Sequence, residues 1–216
     1  MELLSVIRAR AIWLFDINDL NPRGKRIAPE MLEWLKECYS FSKVPSSIDD
    51  LDETKALAFL NGSFQIIPEN TISVDLRVYN DGVVADSRSS TKDSDKFIDE
   101  VLRSATKQFD LVYSPEMIRK RLYLSELNVR CKSTLQRLNP KLKAFGDKIS
   151  PLVNGDVELC SIAFWAEQKT TAPFSLFRFE RKLNAAFSEH RYFAAAPLQT
   201  DDHLKLLDEL ESILAG

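Results

Sequence analysis

The chain has 216 residues, 44% of them hydrophobic and 28% charged, with a formal net charge of −3. This composition excludes a collagen, a disulfide-rich mini-protein and a disordered tail, and the length suffices to bury a proper core. No apolar run approaches the roughly 18 residues of a membrane helix, and Glu2, Arg8 and Arg10 interrupt the first residues, so neither a membrane span nor a secretory leader is expected.

Residues 10–17, RAIWLFDI, predict a strand. The segment Asn18 to Arg26 (NDLNPRGKR) combines turn residues with three cations and predicts a loop. Pro29 opens a helix in which Met31, Trp34, Cys38 and Phe41 share one face. Residues 44–53, with Pro45 and the acids Asp49, Asp50, Asp52 and Glu53, predict a second loop.

A meander follows. Ala58–Ile66 reads as a strand, and Ile72, Val74, Leu76 and Val78 alternate with Ser73, Asp75, Arg77 and Tyr79 as a half-buried one. Asn80-Asp81-Gly82 predicts a tight hairpin with positive φ at the Asp-Gly pair, returning along Val83–Ser87. Ser94 is the expected cap of a helix that buries Phe97, Ile98, Val101, Leu102, Ala105 and Phe109.

Leu122–Val129 is the next predicted strand. Ser133 is expected to cap a helix whose apolar face is Leu135, Leu138, Leu142, Phe145 and Ile149. Pro140 either kinks that helix or starts a second one after Asn139. The last third repeats the meander with strands at Glu158–Glu167, Phe174–Arg181 and Tyr192–Ala196. Thr200 is the expected cap of a final helix with Leu206, Leu207, Leu210, Ile213 and Leu214 as its stripe.

The pattern predicts an α+β fold: antiparallel sheet meanders packed by helices, with two echoing strand-strand-strand-helix units over 57–110 and 157–215. The ends of the two units line up as VVADSRSSTKDSDKFIDEVL against RYFAAAPLQTDDHLKLLDEL. Residues 1–216 read as one domain, with sub-units 1–150 and 151–216 divided near Ser150–Asp156.

Several chemistries lack their motifs. The glycines form neither G-x-G-x-x-G nor G-x-x-x-x-G-K-[ST], so no nucleotide cofactor is expected. Cys38, Cys131 and Cys160 are odd in number and widely spaced. They read as buried thiols in a reducing, cytoplasmic compartment, with no zinc site. His190 and His203 have no histidine or cysteine close in sequence, and no G-x-S-x-G elbow is present.

Charge is the strongest asymmetry. From Met117 to Lys148 nine cations face two acids, a net +7, which leaves −10 on the rest of the chain. On an ideal helix Arg137, Lys141 and Lys148 form one stripe beside the apolar face. Such a stripe suits phosphates or an acidic protein surface. The aromatics Phe164, Trp165, Phe174, Phe177, Phe179, Phe187, Tyr192 and Phe193 crowd the last meander. They read as core or as a subunit contact.

The leading expectation is a non-catalytic, protein-binding or self-associating subunit of a cytoplasmic complex. Its contact residues would be Trp165, Phe177, Phe179, Arg137, Lys141 and Lys148, with no cofactor, no metal and no membrane. The first alternative is nucleic-acid binding through residues 117–148. The second is a metal-dependent phosphodiesterase using strand acids such as Asp75 and Glu180.

Overall fold

The computed structural model describes residues 1–24, 28–45, 56–68, 70–165 and 177–216. Among them lie β1 (Glu2–Leu14), α1 (Ala28–Tyr39), β2 (Leu57–Ile67), β3 (Asn70–Tyr79), β4 (Gly82–Ser87) and α2 (Thr91–Phe109). There follow β5 (Lys120–Arg130), α3 (Pro140–Val153), β6 (Ser161–Phe164), β7 (Phe177–Arg181), β8 (Arg191–Ala196) and α4 (Thr200–Ala215). The fold is α+β, and the order β-α-β-β-β-α runs twice along the chain.

Contacts gather into two compact units, Arg8–Leu124 and Met1–Ile7 joined with Ser125–Gly216. Both use the same strand order: β2-β3-β4-β1 in the one and β6-β7-β8-β5 in the other. The first strand of each repeat pairs antiparallel with the last, Ala9 opposite Ser87 and Ser125 opposite Ala196. In each unit the first strand thus pairs with the last, which lies far along the chain, while β2–β3 and β3–β4 are joined by short turns.

The 8–124 unit buries an aromatic core. Trp13, Phe59, Leu76, Phe97 and Ile98 are fully buried. Tyr39 meets Phe97 edge-on at 5.1 Å, and Phe41 lies 5.5 Å from Phe59. α1 turns Leu35 and Tyr39 inward and leaves Cys38 exposed. The expected face is thus off by one, because Phe41 lies past the helix end and does not extend its stripe. Cys160 is exposed as well, and Cys131 alone of the three thiols is buried.

α2 starts three residues before Ser94, at Thr91. Ser90 is its cap, accepting from the Asp93 amide at 3.1 Å. Ser94 sits inside the helix, fully buried, and donates to the Ala9 carbonyl at 2.8 Å. The rest of the expected face holds from Phe97 to Ala105, with Phe109 half-buried 5.6 Å from Trp34. In the β3–β4 hairpin Asn80 and Asp81 keep negative φ, and the positive value falls on Gly82 at +154°.

The other unit packs around Leu127, Val129, Phe179, Tyr192, Leu207 and Leu214. Phe179 and Tyr192 stack at 4.5 Å. Gln199 takes the cap position of α4, and Thr200 is its first residue. The helix therefore buries Thr200, His203, Leu207 and Leu214, while Ile213 is 67% exposed.

Strand register and helix starts fix how the repeats correspond. Thr91 matches Thr200 and Ser87 matches Ala196, a shift of 109 residues. The alignment read from sequence is one residue out of step. At the correct shift Ala85, Thr91, Asp93, Lys96, Asp99 and Glu100 recur as Ala194, Thr200, Asp202, Lys205, Asp208 and Glu209. Even an ion pair repeats, Lys96–Asp93 at 3.4 Å and Lys205–Asp202 at 3.0 Å. Neither pair is worth much energetically at the surface. Their recurrence shows that the two units share residues at matching positions as well as strand order.

The same correspondence sets His203 on Ser94. His203 is fully buried, and neither ring nitrogen reaches a partner at good geometry. Burial lowers its pKa to about 4, against a weak opposing pull from the Ser125 main chain. The ring is therefore neutral in the folded protein, while the unfolded chain protonates near 6.5. Stability is full above pH 6.5 and falls as pH drops toward 4. The loss is on the order of 3 kcal/mol. Urea unfolding at pH 7 and pH 4.5 measures it, and His203→Leu flattens that slope.

Candidate protein-interaction face

The basic segment does not form one helix. Asn139 and Pro140 split it into a 3-10 turn, Leu135–Leu138, and α3. Thr134 caps the turn, accepting from the Gln136 amide at 3.3 Å, and Leu135 is fully buried beneath it. Asn139 caps α3 by accepting from the Lys141 amide at 2.9 Å, with Pro140 at the first helical position. Arg137 thus stands on a different element from Lys141 and Lys148, although all three are exposed.

α3 rests on the chain after it by its glycine and serine side. A Cβ on Gly146 would lie 3.3 Å from the Val157 carbonyl. Ser150 Oγ accepts from the Val157 amide at 3.2 Å, and Gln136 Nε2 donates to the Val157 carbonyl at 3.2 Å. Asn154 ends the helix in the left-handed region, φ 52°. These contacts are mostly polar and involve small side chains.

The apolar side of α3 faces solvent. No residue of the helix is buried. Leu142 is 46% exposed, Phe145 61%, Leu152 84% and Val153 59%. Their spacing of three, seven and one places them on one stripe, with Ile149 between them half-buried. Lys141, Lys143 and Lys148 flank it, all exposed and without an ion partner among the described residues. A 14-residue helix carrying Gly146 and Pro151 inside it gains little from intrinsic propensity. Helices of roughly 12–15 residues are marginal in water without a packed face.

Of the segment's other cations Arg121 and Arg130 are engaged by side chains, while Arg119, Lys120 and Lys132 are exposed. Arg121 stacks over the Trp13 ring at 4.2 Å, and Arg130 pairs with Glu2 at 2.9 Å. The Lys132 amide donates to Glu211 at 2.8 Å.

The aromatic candidates separate by depth. Phe179 is fully buried, and Phe177 is half-buried, edge-on to His203 at 6.2 Å. Trp165, at the end of β6, is 73% exposed, and Phe164 is 62% exposed. Phe174, Lys25, Arg26, Glu167 and the acids at 49–53 lie outside the described residues. Arg181 anchors the base of this region. It pairs with Glu158 and lies 4.5 Å over the Phe187 ring.

The strand acids are engaged within their own units. Asp75 accepts from the Asn61 amide at 2.8 Å, and Glu180 pairs with Arg178. Among the described residues no three of His, Cys, Asp and Glu gather as metal ligands. His190 closes a 3-10 turn with φ 48°. Among those residues, too, no helix is long and apolar enough to cross a membrane.

Spacing alone sets Leu142 and Phe145 on the apolar face of one helix after Ser133, whereas they stand on a separate helix with that face in solvent. The signal against burial was local: Gly146, Pro151 and three lysines in one short helix weaken a buried assignment. No family model and no curated protein matches the chain. Among solved structures it is similar to Methanococcus jannaschii TBP, at 11% identity and a TM-score of 0.45, over 99% of this chain and 97% of that one.

Proposed function

We propose that the protein is a non-catalytic binding subunit of a cytoplasmic assembly, and that it holds a protein partner on the outward side of α3. The observation that carries this is a helix with no buried residue and with Leu142, Phe145, Leu152 and Val153 in solvent. An apolar stripe left open costs stability, and covering it is what a partner supplies. Lys141, Lys143 and Lys148 at its margins select an acidic surface. The partner is therefore an acidic protein segment with its own apolar ridge.

The test is purification from native lysate with and without nuclease, comparing the wild type with Leu142→Glu/Phe145→Glu. Both side chains are exposed, so the variant's unfolding free energy should stay within about 1 kcal/mol of wild type. Stoichiometric proteins should accompany the wild type after nuclease treatment and be lost from the variant by tenfold or more. Companions that bind both proteins equally would refute the α3 assignment. Nucleic acid as the main companion would replace it with the phosphate-binding reading.

A further inference from the structure

The two repeats place very different side chains at matching positions behind α2 and α4. In the 8–124 unit the cavity wall carries Leu76, Val78 and Val83 from the sheet and Ala105 from α2. Strand register and the helix shift match these to Phe179, Arg181, Tyr192 and Leu214. Each counterpart is larger. Phe179 and Tyr192 stack there at 4.5 Å, Arg181 lies 5.4 Å from the Tyr192 ring, and Leu214 is 1% exposed. The second repeat fills this space with its own side chains.

The first repeat leaves it open. A cavity of about 300 Å³ lies between the sheet, α1 and α2. Its wall includes Trp34, Leu35, Ile98 and Leu102, and its polar side chains are Asn18 and Asn21. Among the described residues that line it none is charged. The recess is half-open to solvent, and an apolar hollow of this size is uncommon in a close-packed domain. An apolar cavity of about 150 Å³ takes up benzene, and pockets for small molecules begin near 300 Å³.

We propose that this cavity binds a neutral, mostly apolar small molecule of about two fused rings, with one polar group directed to Asn18 and Asn21. The described lining residues offer a charged ligand no counter-charge, and such a ligand would lose its hydration there. The site is separate from α3 and does not depend on the protein-binding role.

The probe for the test is N-phenyl-1-naphthylamine, a neutral naphthalene with one N–H donor. Titrated into the full chain, it should bind with saturable, blue-shifted emission and quench Trp34. Ala105→Leu installs the residue that the second repeat carries, and should weaken binding at least tenfold. Absence of saturable binding to the folded wild type overturns the proposal. So does undiminished binding by a folded Ala105→Leu protein. Should that variant not fold, methyl NMR on the wild type decides. Shifts confined to Val83, Ile98, Val101 and Leu102 support the cavity, and shifts elsewhere refute it.

Discussion

Gly82→Ala is expected to destabilise the protein by about 3–5 kcal/mol, lowering the melting temperature by roughly 10 °C for a chain of this size. Two effects combine. Gly82 has φ +154°, a region that residues with a side chain rarely adopt. An added Cβ would also run into the Trp13 carbonyl oxygen and stand 3.1 Å from Leu14 Cα. Both obstacles are backbone of β1, where Leu14 pairs with Gly82, so neither can swing aside as a side chain would. Gly24→Ala is the control. Gly24 has φ +59° but no atom within 4 Å of the added Cβ. Its cost is the backbone term alone, about 1 kcal/mol. Thermal melts of the two variants separate the steric effect from the conformational one.

Asp86→Ala is expected to cost about 3 kcal/mol. Asp86 is 8% exposed on β4. It accepts from Arg10 Nε at 2.6 Å and Nη2 at 2.8 Å, and from Arg77 Nη1 at 2.6 Å. Removing the carboxylate leaves two guanidinium groups side by side, partly desolvated and repelling one another. Burial alone would raise the Asp86 pKa. The hydrogen bonds from Arg10 and then Arg77 outweigh it and hold the carboxyl below its ordinary value of 3.8. Its stabilisation is therefore fully present above pH 3.8 and is lost as pH falls through the lower folded value. This loss follows that of His203 on the acid side, because the histidine begins to titrate near pH 6.5. Replacing all three residues, as Arg10→Met/Arg77→Met/Asp86→Leu, should recover most of the stability, since the carboxylate leaves together with the two guanidinium groups that pair with it. Urea unfolding of the single and triple variants measures both effects.

Much of the architecture was legible because period-2 and period-3.6 patterns report burial directly. The alternation in β3 and the Phe97–Ala105 face of α2 are examples. Helix starts were less legible. Ser90, Ser94 and Thr200 all resemble caps, and tertiary contacts decide among them: Ser94 is drawn inside by the Ala9 carbonyl, and Thr200 is buried as the first residue of α4. The repeat was visible in element order, while its register was not. A one-residue slip hid the shared Thr, Asp, Lys and Asp-Glu positions, which the strand pairing then exposed.

The basic, apolar segment that holds α3 was legible in composition, while its geometry was not. Leu135, Leu138, Leu142 and Phe145 keep helical spacing across Asn139–Pro140, but the chain changes direction there. Leu135 goes to the core and Phe145 to solvent. Phe179, a candidate for contact, is core for a reason that local pattern does not carry: its stacking partner Tyr192 comes from the neighbouring strand β8. The cavity in the 8–124 unit was invisible to sequence alone. It emerges when the two repeats are matched position by position and Ala105 is found where Leu214 stands.

The most direct test of the α3 face is photo-crosslinking from Phe145 replaced by p-benzoylphenylalanine, with Lys107, an exposed position on α2, as the control site. In native lysate at low salt, position 145 should give a discrete protein adduct in high yield and position 107 should give none. Equal adducts from both positions, no protein adduct from 145, or an adduct removed by nuclease would contradict a protein partner on α3.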